Sequence, residues 1–172
     1  MSLQICAYSK LKKAEDQRVE NYEPLSTEGE CFVVGGNPDF PGRCDEFSEG
    51  MVVCIEGETY NEFNVGYGFY NNIRNQIAEL SGYPLTPHKM YGQVWESYAA
   101  GAWKADCGPF WELINFSDCD GVIGTSVSKK LADDFKEYQE KADKLGKEFS
   151  EYYSMLRKSF ELASDNGLVD FC

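Results

Sequence analysis

SVSKKLADDFKEYQEKADKLGKEFSEYYSMLRKSFELASDNGLVDF, residues Ser126 to Phe171, decides the fold class. Leu131, Phe135, Tyr138 and Ala142 recur every three or four positions, the spacing of one helical face. Leu145, Phe149, Tyr153, Leu156, Phe160 and Ala163 continue the stripe across Gly146, and a glycine weakens a helix interior by about 1 kcal/mol relative to alanine. The pattern predicts two helices or one kinked helix. Ser126 or Ser128 offers a side-chain acceptor to the first free backbone N–H groups. Asn166-Gly167 stops the pattern, and Leu168-Val169-Asp170-Phe171 returns as a short β-prone segment.

Working toward the N-terminus, Ile73, Ile77 and Leu80 predict a helix from about Tyr70 to Leu80, closed by Ser81-Gly82 and Pro84. Two strand candidates precede it, Cys31-Phe32-Val33-Val34 and Met51-Val52-Val53-Cys54-Ile55, the second bounded by Gly50 and Gly57. Between them, Gly35-Gly36-Asn37-Pro38-Asp39-Phe40-Pro41-Gly42 is dense in turn formers and reads as an exposed loop. Residues 83–106 mix prolines and glycines with aromatics, and read as loop with one short strand or helical turn. Residues 1–30 are polar, with a charged run from Lys10 to Glu20, and read as partly irregular. No internal repeat or second boundary is visible. The expectation is one α+β domain over residues 1–172, with a small, mostly antiparallel sheet packed on three or four helices and a helical part at 126–165.

A chain of 172 residues is long enough for one core. Eleven Tyr, eleven Phe and three Trp exceed what filling requires. Tyr and Trp carry polar groups that want partners, so some should line a partly open cleft. No run approaches the roughly 18 apolar residues of a membrane helix. Met1 to Asp16 lacks the basic start and apolar core of a secretory signal, which sets a cytoplasmic expectation. The seven cysteines are odd in number and show no CxxC, so reduced thiols are expected, with Cys54 a small buried hydrophobe.

The net charge of −13 is uneven, with 13 acidic against 5 basic residues in the first 64. Binding to a nucleic-acid duplex needs clustered Lys and Arg, which this chain lacks. An acidic surface suits solubility, and also the docking of a basic protein.

Phe63 to Arg74, FNVGYGFYNNIR, is the most informative stretch for function. Gly66 and Gly68 would admit a ligand close to backbone, and free N–H groups at a helix start attract anions. Tyr67 and Tyr70 would stack on a ring. Asn71 would read a polar edge, and Arg74 would meet a phosphate or carboxylate. The plainer alternative is a loop-to-helix junction whose arginine pairs a local acid. A lone GxG lacks the spacing of a dinucleotide fingerprint.

In Gly108 to Gly121, GPFWELINFSDCDG, Asp118 and Asp120 before Gly121 suggest part of a calcium loop. The template fails, because Phe116 and Val127 occupy ligand positions. An Asx-type turn is the structural alternative, and a carboxylate that recognises hydroxyl or ammonium groups the functional one. His88 is the sole histidine, which rules out a histidine metal cluster, and its turn-rich setting reads as solvated or structural. Glu96 beside Trp95 and Glu112 beside Trp111 are acidic residues in apolar company. No Walker loop, HExxH or GxSxG is present. Neither a catalytic set, a metal site nor a cofactor is expected.

Four features together resemble a family of uncharacterised small proteins from bacteria and their phages. They are the Gly-Tyr-rich stretch ending in Asn71 and Arg74, the block GPFWELINFSDCDGVIG at 108–124, Ser128 to Phe135, and the tail from Phe160 to Phe171. The resemblance covers about residues 63–172. Members often carry Trp where Ile73 stands and His where Cys172 stands. It implies a small cytoplasmic, often phage-associated protein, of a kind that antagonises host defence by sequestering a signalling nucleotide or blocking a protein. The leading expectation is a non-enzymatic binder of a small anionic, nucleotide-like ligand through Gly66, Tyr67, Gly68, Tyr70, Asn71, Arg74 and Asp118. On that expectation Arg74→Ala abolishes binding and leaves the fold intact. The alternatives are an acidic protein-interaction module using Asp45, Glu46 and Glu49, and a hydrolase using Asp118 or Glu112.

Overall fold

The segment that reads as polar and partly irregular holds a central strand of the main sheet. The structure, a computed structural model, describes residues 2–172. In chain order its elements begin β1 (Ser2–Tyr8), β2 (Leu11–Lys13), β3 (Val19–Glu20), β4 (Glu23–Pro24), β5 (Cys31–Val33), β6 (Val52–Ile55) and β7 (Thr59–Gly66). Then come α1 (Tyr67–Leu80), β8 (Thr86–Met90), β9 (Gln93–Ser97), α2 (Tyr98–Trp103), α3 (Trp111–Ile114) and β10 (Gly121–Ile123). The chain closes with α4 (Thr125–Glu137), α5 (Gln139–Ala142), α6 (Lys147–Ala163) and β11 (Leu168–Phe171).

The main sheet has the order β10-β11-β1-β7, every pair antiparallel. Leu3, Ile5 and Ala7 alternate along β1 and are fully buried, the period-2 pattern of a strand with one face on a core. A bulge in the β1–β7 ladder, between Ile5 and Ala7, lets Tyr60 and Phe63 both turn inward although they are three residues apart. Against this inner face pack Ile73 and Ile77 of α1, Leu131 and Phe135 of α4, and Tyr153, Leu156 and Phe160 of α6. A smaller sheet, β2-β6-β5, covers the outer face through Leu11, Val34, Val53, Val122 and Leu168. The result is a single compact α+β fold with helices on one side of the main sheet and a small sheet on the other.

Several local expectations are met and several corrected. The strand candidates become β5 and β6, and α1 begins three residues earlier than its apolar repeat suggests. The C-terminal stripe breaks near Gly146, whose φ of +106° lies in a region L side chains rarely adopt. Leu145, placed on the stripe by spacing, is instead half exposed, in a 3-10 turn.

Neither Ser126 nor Ser128 caps α4. Its N-cap is Gly124, and the carboxylate of distant Glu46 accepts from the Ser126 N–H at 2.7 Å and from its hydroxyl. Residues 83–106 form a hairpin and a helix rather than loop. Tyr91 and Gly92, at φ of +52° and +76°, make the two-residue turn between β8 and β9.

Cys54 is buried as expected, but it is not a free thiol. Cys31 and Cys54 face each other across β5 and β6 and form a disulfide. The register puts them at a position flanked by the Ile55 N–H to Glu30 and Val34 N–H to Met51 backbone bonds, where opposing side chains lie closest.

Candidate functional site

A cleft of about 320 Å³ opens between α1, the β8–β9 hairpin, α2 and the turn before β10. That volume is at the lower end of the ~300–1,000 Å³ of small-molecule sites. The floor comes from α1, where Asn71, Arg74 and Asn75 share one face through their spacing of three and four residues. Asp118 closes one end of the floor. His88, Met90 and Ser97 form the hairpin wall, and Ala99 and Trp103 the wall from α2.

Arg74 holds the floor together. Its guanidinium donates to the carbonyl of Phe116 at 2.7 Å, to that of Ile114 at 3.5 Å, and to the side-chain oxygen of Asn71. Asn71 in turn donates to the Asp118 carboxylate at 2.8 Å, and that carboxylate lies 3.9 Å from Arg74. The guanidinium also sits 4.8 Å above the Tyr70 ring. Arg74 is thus buried and committed to fixing the 114–118 segment against α1.

The walls are less saturated. Asn75 accepts from the first N–H groups of α2, those of Tyr98 and Ala99, so it fixes the angle between the two helices. The His88 ring meets Trp103 edge to face at 5.3 Å, and Trp103 donates to the Ile114 carbonyl at 3.3 Å while remaining 46% exposed. Two buried polar atoms in this region lack a partner, Nδ1 of His88 and the hydroxyl of Tyr70. Burial pushes the Tyr70 phenol up to about 12, with Arg74 and Asp118 close enough to act on it in opposite senses.

The structure therefore brings together three of the residues singled out by sequence, Asn71, Arg74 and Asp118, and does not bring the other four to the cleft. Tyr70 is fully buried between Phe63 and Phe171, where no ligand can stack on it. Tyr67 packs against the core. Gly66 caps α1 with an ordinary φ of −66°, and a side chain at either Gly66 or Gly68 would meet only open space, so close approach is not what places glycine there. His88, Asn75, Met90, Ser97 and Trp103 were missed. The signal for the hairpin pair was the Tyr91-Gly92 turn between two short alternating runs.

Two other acids have structural partners. Glu112 pairs with Lys130 at 2.6 Å, and Lys130 also holds Asp134, whose carboxylate accepts from the Phe110 N–H at 2.7 Å. Glu46 caps α4. Among the described residues no group of three His, Cys, Asp or Glu is placed to hold a metal ion, and no helix is long and apolar enough to cross a membrane.

The chain matches no family model, and no curated protein or solved structure shows a significant similarity to it.

Proposed function

We propose that the chain is a non-enzymatic binding protein for a small nucleotide-like ligand, which it holds by its heteroaromatic ring in the cleft. The observation that carries this reading is the unpartnered His88 Nδ1 on the hairpin wall, whose ring meets the half-exposed Trp103 of the α2 wall, above a floor of amides and one carboxylate. Trp103 supplies a face for a planar ring. Asp118 accepts from a ring N–H or exocyclic amine, and Asn75 offers amide hydrogens. Arg74 contributes positive potential, but its donors already serve Phe116, Ile114 and Asn71, so an anionic group on the ligand points outward rather than onto it. A counter-defence role follows if the preferred ligand is a signalling nucleotide.

The test is a thermal-shift screen of nucleosides, mononucleotides and cyclic dinucleotides on wild type, Trp103→Ala and Trp103→Phe. Ligand raises the melting temperature of wild type by mass action, has no effect on Trp103→Ala, and is partly effective on Trp103→Phe. No shift for wild type across the panel removes the reading.

A second reading, docking of a protein, is favoured by the hairpin tip, where Tyr91 is 95% and Val94 66% exposed beside Met90 and Trp95. With a net charge of −13, the partner would be basic. Replacing Tyr91 and Trp95 together by serine would then abolish association and leave nucleotide shifts unchanged.

A further inference from the structure

A second cavity, of about 520 Å³, lies on the opposite side of the main sheet, between the β3–β4 hairpin, the edge strand β5 and the outer face of β1 and β11. Three rings line it: Tyr8 from β1, Tyr22 from the turn of the β3–β4 hairpin, and Phe32 from β5. Tyr8 and Phe32 pack against each other, with centroids 4.7 Å apart and planes tilted by 33°. Tyr22 is 94% exposed, held out from the hairpin by positive φ at Asn21 and Tyr22.

Two carboxylates share the cavity, Glu23 and Asp170, and no lysine or arginine lines it. Asp170 is the informative one. It sits on β11 directly opposite Cys6 of β1, part-buried, and no cation among the described residues forms an ion pair with it. Burial pushes its carboxyl up to about 6, opposed only by a backbone N–H bond from Phe171. A part-buried carboxylate that lies beside aromatic rings and has no ion-pair partner suits a cation, whose arrival would favour the ionised form.

We propose that this cavity binds an alkylammonium group, either a free organic cation or the side chain of a lysine on another protein. The rings supply cation–π attraction, while Asp170 and Glu23 supply the opposite charge. The chain's acidic first 64 residues, which contribute 13 acidic against 5 basic groups, add a field of the same sign. This site is distinct from the cleft beside Trp103 and does not depend on the ring-binding reading of that cleft.

The experiment is isothermal titration of the full chain, at constant ionic strength, with three probes. These are choline, its neutral carbon isostere 3,3-dimethylbutanol, and a short peptide carrying one trimethylated lysine. Choline or the peptide binds at least tenfold more tightly than the isostere. Asp170→Asn and Tyr22→Ala each weaken binding about tenfold, whereas Glu137→Gln, which neutralises an exposed acid on α4, does not. Asp170→Asn removes an unpaired charge and Tyr22→Ala alters an exposed tip, so both variants fold. Tighter binding of the peptide assigns the site to a lysine side chain, and tighter binding of choline to a free cation. Binding of neither probe, equal affinity for the isostere, or an affinity unmoved by Asp170→Asn overturns the proposal.

Discussion

A guanidinium with 6% of its surface exposed is defined by its acceptors, and Arg74 has carbonyls, an amide and a carboxylate around it. Its removal leaves the buried Phe116 carbonyl and the more exposed Asn71–Asp118 pair without their donor. Arg74→Ala should therefore destabilise the chain by about 2–3 kcal/mol, measurable as a lower denaturant midpoint. An unchanged midpoint would mean that the 114–118 segment holds its place without Arg74. This inverts the expectation that Arg74→Ala spares the fold, and it makes Trp103 the cleaner probe of the cleft. At this scale the sequence showed Asn71 and Arg74 as polar residues near a helix start and Asp118 as an acid in a turn. It did not show that they meet, because Asp118 lies 44 positions beyond Arg74 and only the packing of the turn before β10 on α1 joins them.

At the scale of the element, α4 shows how a helix can take its cap from elsewhere. The free N–H groups of its first turn face Glu46, on a loop 80 residues away in sequence, and the negative carboxylate also opposes the positive end of the helix dipole. Burial alone would raise the Glu46 carboxyl, but the Ser126 hydroxyl and backbone bonds outweigh it and hold it below the usual range. Its folded-state pKa is thus depressed, so its stabilisation is present above the ordinary glutamate pKa and fades as pH falls through the folded value. Glu46→Ala should cost about 1 kcal/mol near neutral pH, and thermal melts of wild type and variant should converge in acid below about pH 4. A gap that persists into acid would assign the loss to packing instead. Charge reversal at Glu46 consequently reports on α4 before it reports on any partner. The long helices α1, α4 and α6 were legible, since their apolar repeat is local. The β8–β9 hairpin was masked by its own composition, because Pro87, Gly92 and scattered aromatics resemble loop until Tyr91-Gly92 is taken as a turn.

For the molecule as a whole, the Cys31–Cys54 disulfide closes a loop with a sequence separation of 23. In the chain-entropy account such a closure is worth about 3 kcal/mol, so replacing both cysteines by serine should lower the unfolding free energy by roughly that amount. A double variant as stable as wild type would show that the thiols contribute only as packed side chains. The pairing also shows where local reading stops, since Cys54 reads correctly as buried, but its partner depends on β5 lying beside β6 in one register. The sequence by itself determined the α+β class, the helical C-terminal part with its break near Gly146, two strands, and an acidic chain without the basic clusters of a duplex binder. Those features depend on residues within a few turns of one another, or on composition alone. The tertiary structure alone decided that β1 is central, that the chain's two ends are neighbouring strands, and that Tyr70 belongs to the core. It alone decided which polar residues share a cleft. Strand pairing and site assembly are contacts between distant positions, and their energy depends on what each residue meets rather than on what each residue is.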